Sequence, residues 1–197
     1  MKLRSLFRPR YLAGRIALAI HEHSHPNEPW IASGAVQFCR DSLKPSFSAL
    51  EWGSGRSTAW YARHVCKLLS IEHDKDWHDR TTRAISKLGL TNAECRHVPL
   101  DHSIDEPGKN YYERQPRYVA VADEFEDNSL DFVVVDGHYR GACIIACLPK
   151  LRAGGYLLVD NTNWLPALGD WPVPQAWPVV HQSKNVLTQT TIWQKPA

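Results

Sequence analysis

The sequence predicts one α/β domain in which a mostly parallel sheet carries helices on both faces and ends in a C-terminal antiparallel hairpin. Three observations predict it. Apolar strand-like runs alternate with helical patterns, which is typical of βαβ units and a parallel sheet. The run at 130–136 holds three successive valines, as expected for a strand buried on both faces. Two further strand-like runs follow near the C-terminus, 178–181 and 189–193, and we expect them to pair antiparallel.

The predicted elements alternate from residue 29 onward. Apolar residues at helical spacing predict helices over 29–43, 59–67, 77–88 and 139–152. Apolar and β-branched runs predict strands over 47–51, 68–72, 94–100, 130–136 and 156–160. Gly89 lies where a left-handed helix stop is expected, and Pro149 should kink the last helix. Gly154 and Gly155 should turn the chain into the strand that follows that helix, and residues 101–128 include a loop too long to be a plain connection.

Composition and charge restrict the class of protein. The chain has 197 residues, 43% of them hydrophobic and 22% charged, which fits a folded domain and excludes disordered and collagen-like classes. Lys plus Arg number 23 and Asp plus Glu 21, and the net charge of +2 is too balanced to indicate nucleic acid or an acidic membrane as a partner. No apolar run approaches the roughly 20 residues of a membrane span. Five cysteines without a CxxC pair fit a reducing compartment, and we expect a cytoplasmic protein.

We divide the chain into a basic N-terminal arm or helix, residues 1–28, and a single domain, residues 29–197. Five basic residues and no acid precede Ile16. This pattern favours a solvated arm, with an organelle transit peptide and a weak contact with an anionic surface as alternatives. His21, His23 and His25 alternate in a polar stretch, which is more typical of a solvated loop than of a zinc site.

Acidic residues mark the ends of the predicted strands. Glu51, Glu72, Asp136 and Asp160 each end a strand, and Asp101 comes directly after the third strand. In an open parallel sheet, ligands bind in the crevice beyond the carboxyl ends of the strands. Acids along this edge therefore predict a site for a ligand that carries hydroxyl groups and positive charge.

A glycine turn after the first strand restricts the ligand. Gly53 permits a sharp bend, and Gly55 lets the backbone approach a ligand without a Cβ in the way. A dinucleotide fingerprint would have its third glycine where Thr58 stands, and a pyrophosphate disfavours a neighbouring carboxylate such as Glu51. Glu72 lies 19 residues after Gly53, where such folds place the acid that binds ribose hydroxyls. The pattern predicts a nucleoside cofactor without phosphates.

In this ordered set of motifs the chain resembles the class I S-adenosylmethionine-dependent methyltransferases, whose fold is Rossmann-like. The resemblance is carried by Leu50-Glu-Trp-Gly-Ser-Gly55, Ser70-Ile-Glu72-His-Asp, Asp131-Phe-Val-Val-Val-Asp136-Gly137 and Leu151-Arg-Ala-Gly-Gly155-Tyr-Leu-Leu-Val-Asp160. It implies S-adenosylmethionine (SAM) as the cofactor, with the methionine part near residues 51–57, the ribose on Glu72 and the adenine near Asp101. The cofactor-binding residues that it implies are Glu51, Gly53, Ser54, Gly55, Ser57, Glu72, His73, Asp101 and Asp136.

A second, local resemblance begins at Asp160. Asp160-Asn161-Thr-Asn-Trp164 is similar to the Asp-Asn-Thr-x-Trp segment of cation-dependent catechol and caffeoyl-CoA O-methyltransferases. It implies that Asp136, Asp160 and Asn161 bind a divalent cation such as Mg²⁺, which would orient an acceptor hydroxyl and lower its pKa. The lysine that follows the first acid in those families is missing here, where Gly137 stands.

The predicted catalytic residues are Asp136 and His138. His138 follows the fourth strand, where an acceptor would lie, and its ordinary pKa suits a general base at neutral pH. The alternatives for His138 are stacking on the cofactor and capping the next helix.

The resulting prediction is a SAM-dependent methyltransferase that O-methylates a small-molecule or saccharide-like acceptor by in-line transfer. No Asp/Asn-Pro-Pro-aromatic run and no Pro-Cys follow the fourth strand, and the chain leaves no room for a separate substrate domain. We therefore do not expect duplex nucleic acid as a partner. A catalytically silent module or scaffold that binds SAM or S-adenosylhomocysteine (SAH), and another adenosyl-group transferase of the same fold, are the alternatives.

Overall fold

The structure is a computed structural model that describes residues 9–103 and 105–197. Its helices are α1 (Pro9–Ser24), α2 (Ser33–Ser42), α3 (Arg56–Ala62), α4 (Lys75–Lys87), α5 (Arg117–Ala120) and α6 (Arg140–Cys147). Its strands are β1 (Ser48–Trp52), β2 (Lys67–Glu72), β3 (Ala93–His97), β4 (Leu130–Val135), β5 (Leu151–Val159), β6 (Val179–Lys184) and β7 (Gln189–Gln194). Short 3-10 turns lie at Val121–Glu124, Thr162–Trp164 and Leu168–Asp170.

The strands form one seven-stranded sheet in the order β3-β2-β1-β4-β5-β7-β6. Strands β1 to β5 are parallel, and β7 lies antiparallel between β5 and β6. The predicted fold class, with its mostly parallel sheet and antiparallel hairpin, is confirmed. The chain adds β2 and β3 on one side of β1 and then crosses to β4 on the other side. The strand order therefore reverses between β1 and β4, and open sheets of this kind bind ligands at such a reversal.

Two apolar layers cover the central strands. Successive side chains of a strand point to opposite faces of the sheet. In β1, Leu50 and Trp52 pack in a cluster with side chains of α5 and α6, whereas Ala49 packs in a second cluster with side chains of α2 and α3. All six residues of β4 are buried, which explains its continuous apolar sequence. The packed layers hold the ends of β1 and β4 in fixed positions.

Helix α2 begins four residues later than the sequence predicts. Ile31 is buried, and Ala32 is extended with its N–H donating to Thr190 Oγ1 at 3.1 Å. This contact ties the segment to β7, so the chain reaches Ser33 before it can turn helical.

Helix α3 begins three residues earlier than predicted and ends earlier. The Gly55 N–H donates to Thr58 Oγ1 at 3.0 Å and caps the first turn. At the other end, Asn92 Nδ2 donates to the carbonyls of Ala62 and Val65 at 2.7 and 2.8 Å. Because Asn92, directly before β3, satisfies these carbonyls, the helix can end here, and the chain enters β2 at Lys67.

Strand β5 is longer than predicted, because Gly154 and Gly155 lie within it and do not precede it. Helix α6 stops at Cys147, before Pro149, and β5 begins at Leu151. Leu130 of β4 pairs with Leu151 of β5, and Phe132, two residues later in β4, pairs with Tyr156, five residues later in β5. The register between the two strands therefore shifts between these pairs. Gly154, with φ of 75°, accommodates the extra residues as a bulge.

Helix α1 covers most of the described part of the predicted arm, and residues 1–8 of that arm lie outside the described residues. Gly14 lies against Val186 in the connection between β6 and β7. The large apolar side chains of Leu12, Ile16 and Ile20 are exposed. Within the part of the chain that the structure describes, no helix is long and apolar enough to cross a membrane.

The backbones of β1 and β4 come very close where their ends meet. Gly53 has φ of +95°, and an added Cβ would lie 2.8 Å from the Asp136 carbonyl and from the Gly137 nitrogen. The Asp136 N–H donates to the Trp52 carbonyl at 2.9 Å, which holds this approach in place. Glycine at position 53 is therefore required both by the backbone conformation and by the lack of space.

Gly53→Ala should lower the free energy of unfolding by about 3 kcal/mol, because the new Cβ meets backbone atoms that cannot move aside. Urea unfolding followed by circular dichroism measures the change. Gly169→Ala is the control, since a Cβ there meets nothing within 4 Å, and it should alter stability by less than about 0.5 kcal/mol. Equal stability of the two variants would contradict the close approach.

Candidate functional site

A cavity of about 660 Å³ opens at the carboxyl edge of the sheet, where β1, β2 and β4 end. Eight predicted site residues line it: Gly53, Ser54, Gly55, Ser57, Glu72, His73, Asp136 and His138. Four others do not line it: Glu51, Asp101, Asp160 and Asn161. The glycine turn and the acids that end β2 and β4 are thus brought together at the reversal of strand order.

The Glu51 carboxylate faces the protein interior and not the cavity. It is fully buried and accepts hydrogen bonds from Ser57 Oγ at 2.5 Å, Thr58 Oγ1 at 2.6 Å and Ser70 Oγ at 2.6 Å. Burial raises the pKa of Glu51 to about 7, although the three hydroxyl donors oppose the shift. Both of its oxygens hold the glycine turn against α3 and β2. The direct contact between Glu51 and a cofactor stays a prediction, which these hydrogen bonds do not support.

The Glu72 carboxylate is held by the backbone on both sides of the cavity. Oε2 accepts from the Ser54 N–H at 3.1 Å and from Ser54 Oγ at 3.0 Å. Oε1 accepts from the N–H groups of His73 and Asp74 at 2.8 and 2.9 Å, and it lies 2.8 Å from His73 Nδ1. Three backbone amides thus fix the carboxylate, and two side-chain groups complete its contacts.

Arg140 bridges the ends of β4 and β5. Its buried guanidinium donates to Asp136 Oδ1 at 3.1 Å, to the Gly137 carbonyl at 2.9 Å and to the Asp160 carbonyl. Trp164 covers the guanidinium, with its ring centroid 4.4 Å away. Burial and the nearby Asp160 carboxylate raise the pKa of Asp136 to about 8, although Arg140 opposes the shift.

The donors around Asp160 do not fit the Mg²⁺ site that the local resemblance implies. Both Asp160 oxygens accept from Thr188 Oγ1, at 2.9 and 2.8 Å, and Oδ1 also accepts from Thr190 Oγ1 at 2.5 Å. Asn161 Nδ2 donates to Thr188 Oγ1 at 2.7 Å, and Asp136 is paired with the guanidinium described above. Among the described residues, no group of three or more His, Cys, Asp or Glu side chains is placed to hold a metal ion. The metal prediction therefore has no support in the geometry.

His138 and Asp105 are in contact in the wall of the cavity. His138 Nδ1 lies within hydrogen-bond distance of one Asp105 oxygen, and the Tyr139 N–H donates to the other at 2.7 Å. Burial acts against ionisation of Asp105, but the hydrogen bonds from His138 and Tyr139 prevail and lower its pKa. The ring of His73 packs edge-on against His138 at 4.1 Å between centroids, and burial followed by the proximity of His138 lowers the pKa of His73.

Asp101 lies outside the cavity, where it organises the start of α5. It accepts from the Arg117 N–H at 3.3 Å and pairs with Arg114 and Arg117 at 3.4 Å. The predicted contact of Asp101 with a cofactor is therefore not supported by its placement.

Several residues that line the cavity were not predicted from the sequence. Asp105 lies in a polar loop with no pattern to distinguish it, Trp30 is remote from the recognised motifs, and Trp77 was assigned to the apolar face of a helix. Arg140 begins α6, four residues after Asp136, and their ion pair depends on the turn between β4 and α6.

Comparisons with known proteins identify the fold. No family model and no curated protein sequence matches the chain. An rRNA methylase from Streptococcus thermophilus is 15% identical with a TM-score of 0.60, and the match covers 82% of this chain and 93% of that one. A methyltransferase from Geobacter sulfurreducens is 12% identical with a TM-score of 0.60, over 92% of this chain and 89% of that one. A Streptococcus mutans protein solved in complex with SAH is 10% identical with a TM-score of 0.57, over 81% of this chain and 94% of that one. The chain has the fold of the class I SAM-dependent methyltransferases.

The expectation that duplex nucleic acid is not a partner is wrong. It rested partly on the lack of room for a separate substrate domain. The rRNA methylase has 93% of its length covered by this chain, so a protein of that description is built almost entirely from the shared fold. Chain size therefore does not exclude nucleic acid.

Glu51→Gln should change how stability depends on pH. The unfolded chain releases the Glu51 proton near pH 4.5, whereas the folded chain keeps it to about pH 7. Between these values unfolding releases a proton, so the free energy of unfolding falls as pH rises, by about 3 kcal/mol in all. The variant has a neutral side chain at every pH, so its free energy of unfolding does not fall for this reason as pH rises.

Urea unfolding of both proteins between pH 4.5 and 7.5 measures the difference. The stability of Glu51→Gln relative to the natural protein should rise across this range by about 3 kcal/mol. Glu126→Gln, at an exposed glutamate, is the matched control and should keep the natural pH dependence. Parallel pH profiles for Glu51→Gln and the natural protein would show that Glu51 is ionised in the folded state throughout.

Proposed function

We propose that the protein is a SAM-dependent methyltransferase. The observation that carries the proposal is the cavity at the reversal between β1 and β4, where a glycine turn lies beside carboxylates. A protein of the same fold forms a complex with SAH, which is SAM without its transferable methyl group.

Gly55 supports the proposal because the fold does not require glycine there. Its φ of 170° is ordinary extended backbone, and an added Cβ would meet nothing nearer than Trp77 at 3.6 Å. The missing side chain instead leaves the backbone of the turn open to the cavity. This is the arrangement expected where the amino-acid part of SAM would lie along residues 53–57.

The charge of the cavity also fits SAM. Its acidic lining residues are Glu72, Asp74, Asp76, Asp105 and Asp136. When bound, SAM supplies a methyl group on a positively charged sulfur. Glu72 is suited to the ribose, because ribose hydroxyls could replace the contacts from Ser54 Oγ and His73 Nδ1 while three backbone amides keep the carboxylate in place.

We take an oxygen as the methyl acceptor and His138 as the general base. A hydroxyl must lose its proton when it gains a methyl group. Because His138 Nδ1 faces the Asp105 carboxylate, the ring carries its proton on Nδ1 and leaves Nε2 free to accept another. Asp105 would then stabilise the imidazolium that forms, while Arg140 holds Asp136 at the same wall.

SAH should raise the melting temperature of the protein by roughly 5–10 °C at about 100 times its dissociation constant, while NAD and ATP should not. Differential scanning fluorimetry measures the shift. Gly55→Ala should keep the natural melting temperature without ligand but lose most of the shift, because its Cβ enters the ligand site. Gly169→Ala should keep both the natural melting temperature and the full shift with SAH. An unchanged melting temperature at millimolar SAH would favour a cavity that serves another ligand.

His138→Ala should reduce methyl transfer by about 10²–10⁴-fold and keep the SAH shift, since a positioned general base contributes in this range. Transfer is measured with SAM labelled in its methyl group and a cell extract divided into RNA, protein and small-molecule fractions. His23→Ala, at an exposed histidine of α1, is the control and should transfer at the natural rate. Transfer by His138→Ala at that same rate would remove the general-base role.

A further inference from the structure

A second cavity, of about 230 Å³, lies between α3 and α4 and shares a wall with the first. Arg56, Arg63 and Arg80 line it, and among the described residues no acidic side chain does so. Gly55, Arg56, Trp77 and Arg80 line both cavities. We call this second cavity the arginine groove. Most of its lining surface is apolar, and its charged lining residues are arginines. The first cavity is lined by both carboxylates and arginines.

Among the residues that the structure describes, the guanidinium groups of the arginine groove have no anionic partner. Within the described residues, neither Arg56, Arg63 nor Arg80 forms an ion pair or a side-chain hydrogen bond. Nη1 of Arg56 is buried and lacks an acceptor. A buried donor without an acceptor costs free energy, and an anion in the groove would supply the missing contact.

Two tryptophans flank the same arginines. Trp30, half-exposed, stacks on Trp77 with 6.2 Å between ring centroids, and the Arg56 guanidinium lies 4.5 Å from the Trp30 ring. Trp77 is fixed by a hydrogen bond from its Nε1 to the Ser54 carbonyl at 2.6 Å. Trp30 itself lines the first cavity, next to Arg56 and Trp77, which line both cavities. The two rings thus lie beside arginines of the groove.

We infer that the arginine groove binds single-stranded nucleic acid, with a phosphate beside its arginines and a base against the half-exposed ring of Trp30. Proteins bind single strands by combining cationic contacts to the backbone with aromatic rings on which bases stack. A phosphate without a base would have no use for the tryptophans. The inference rests on the proposed function in one respect, because it takes the bound strand as the methyl acceptor, whose reacting group enters the adjoining cavity.

The overall charge of +2 does not conflict with this inference. Attraction to phosphate depends on the local arrangement of charge. Three arginines line one groove, while the nearby acids Asp74 and Asp76 line the other cavity.

Binding is tested by fluorescence anisotropy with a labelled single-stranded oligoribonucleotide of about ten nucleotides, within the usual site sizes. Arg63→Ala is the principal variant, because Arg63 is exposed and lines the arginine groove but not the first cavity. It should weaken binding about tenfold and reduce the slope of log affinity against log salt by about 0.7. Trp30→Leu should weaken binding about tenfold through lost stacking. Arg63→Lys keeps the charge and should retain most of the affinity.

Arg83→Ala is the matched control, since Arg83 is an exposed arginine of α4 that lines neither cavity. It should bind the strand as the natural protein does. Failure of the natural protein to bind the strand, or an equal loss in Arg63→Ala and Arg83→Ala, would overturn the inference. Displacement of the strand by inorganic phosphate as effectively as by unlabelled strand would also overturn it, since the site would then recognise phosphate alone.

The SAH shift separates this inference from the proposed function. Arg63→Ala should keep the full shift, because the first cavity is unaltered. Strand binding without any SAH shift in the natural protein would contradict the proposed function and support the groove as a nucleic-acid site. An SAH shift without strand binding would support the proposed function and overturn the inference about the groove.

Discussion

The buried carboxylate of Glu51 gathers three hydroxyl groups, and the shape of the cavity follows from that contact. Ser57 and Thr58 belong to α3, and Ser70 belongs to β2. Together they hold the end of β1 against the helix that follows it, so the chain between them must turn sharply at Gly53. Residues 54–57, which follow that turn, line the cavity.

Arg140 gives the edge of the sheet a fixed cation where a metal ion was expected. Its guanidinium lies between the end of β4 and the end of β5, paired with Asp136 and hydrogen bonded to the Asp160 carbonyl. An arginine keeps its charge at every accessible pH and cannot be removed by a chelator. The sequence segment at 160–164 therefore resembles that of cation-dependent enzymes while its side chains make different contacts.

The fold was predictable because burial decides it. The three successive valines of β4 and the alternation of elements are local signals, and the acids that end β2 and β4 do line the cavity. The contacts of Glu51 were not predictable, because the hydroxyl groups that bind it belong to α3 and β2, and no local pattern places them against its carboxylate. The partners of Arg140 and the position of Asp105 depend on contacts between distant segments, which no local pattern encodes.

The antiparallel insertion of β7 between β5 and β6 affects the order in which the molecule can be completed. The hydroxyls that bind the Asp160 carboxylate belong to Thr188 and Thr190, 28 and 30 residues further along the chain. During synthesis from the N-terminus, β5 is therefore made before the residues that donate to the Asp160 carboxylate and before β7, which covers the edge of β5. An unpaired strand edge can associate with other chains. The sheet can therefore close this edge only when the last strand of the chain has been made.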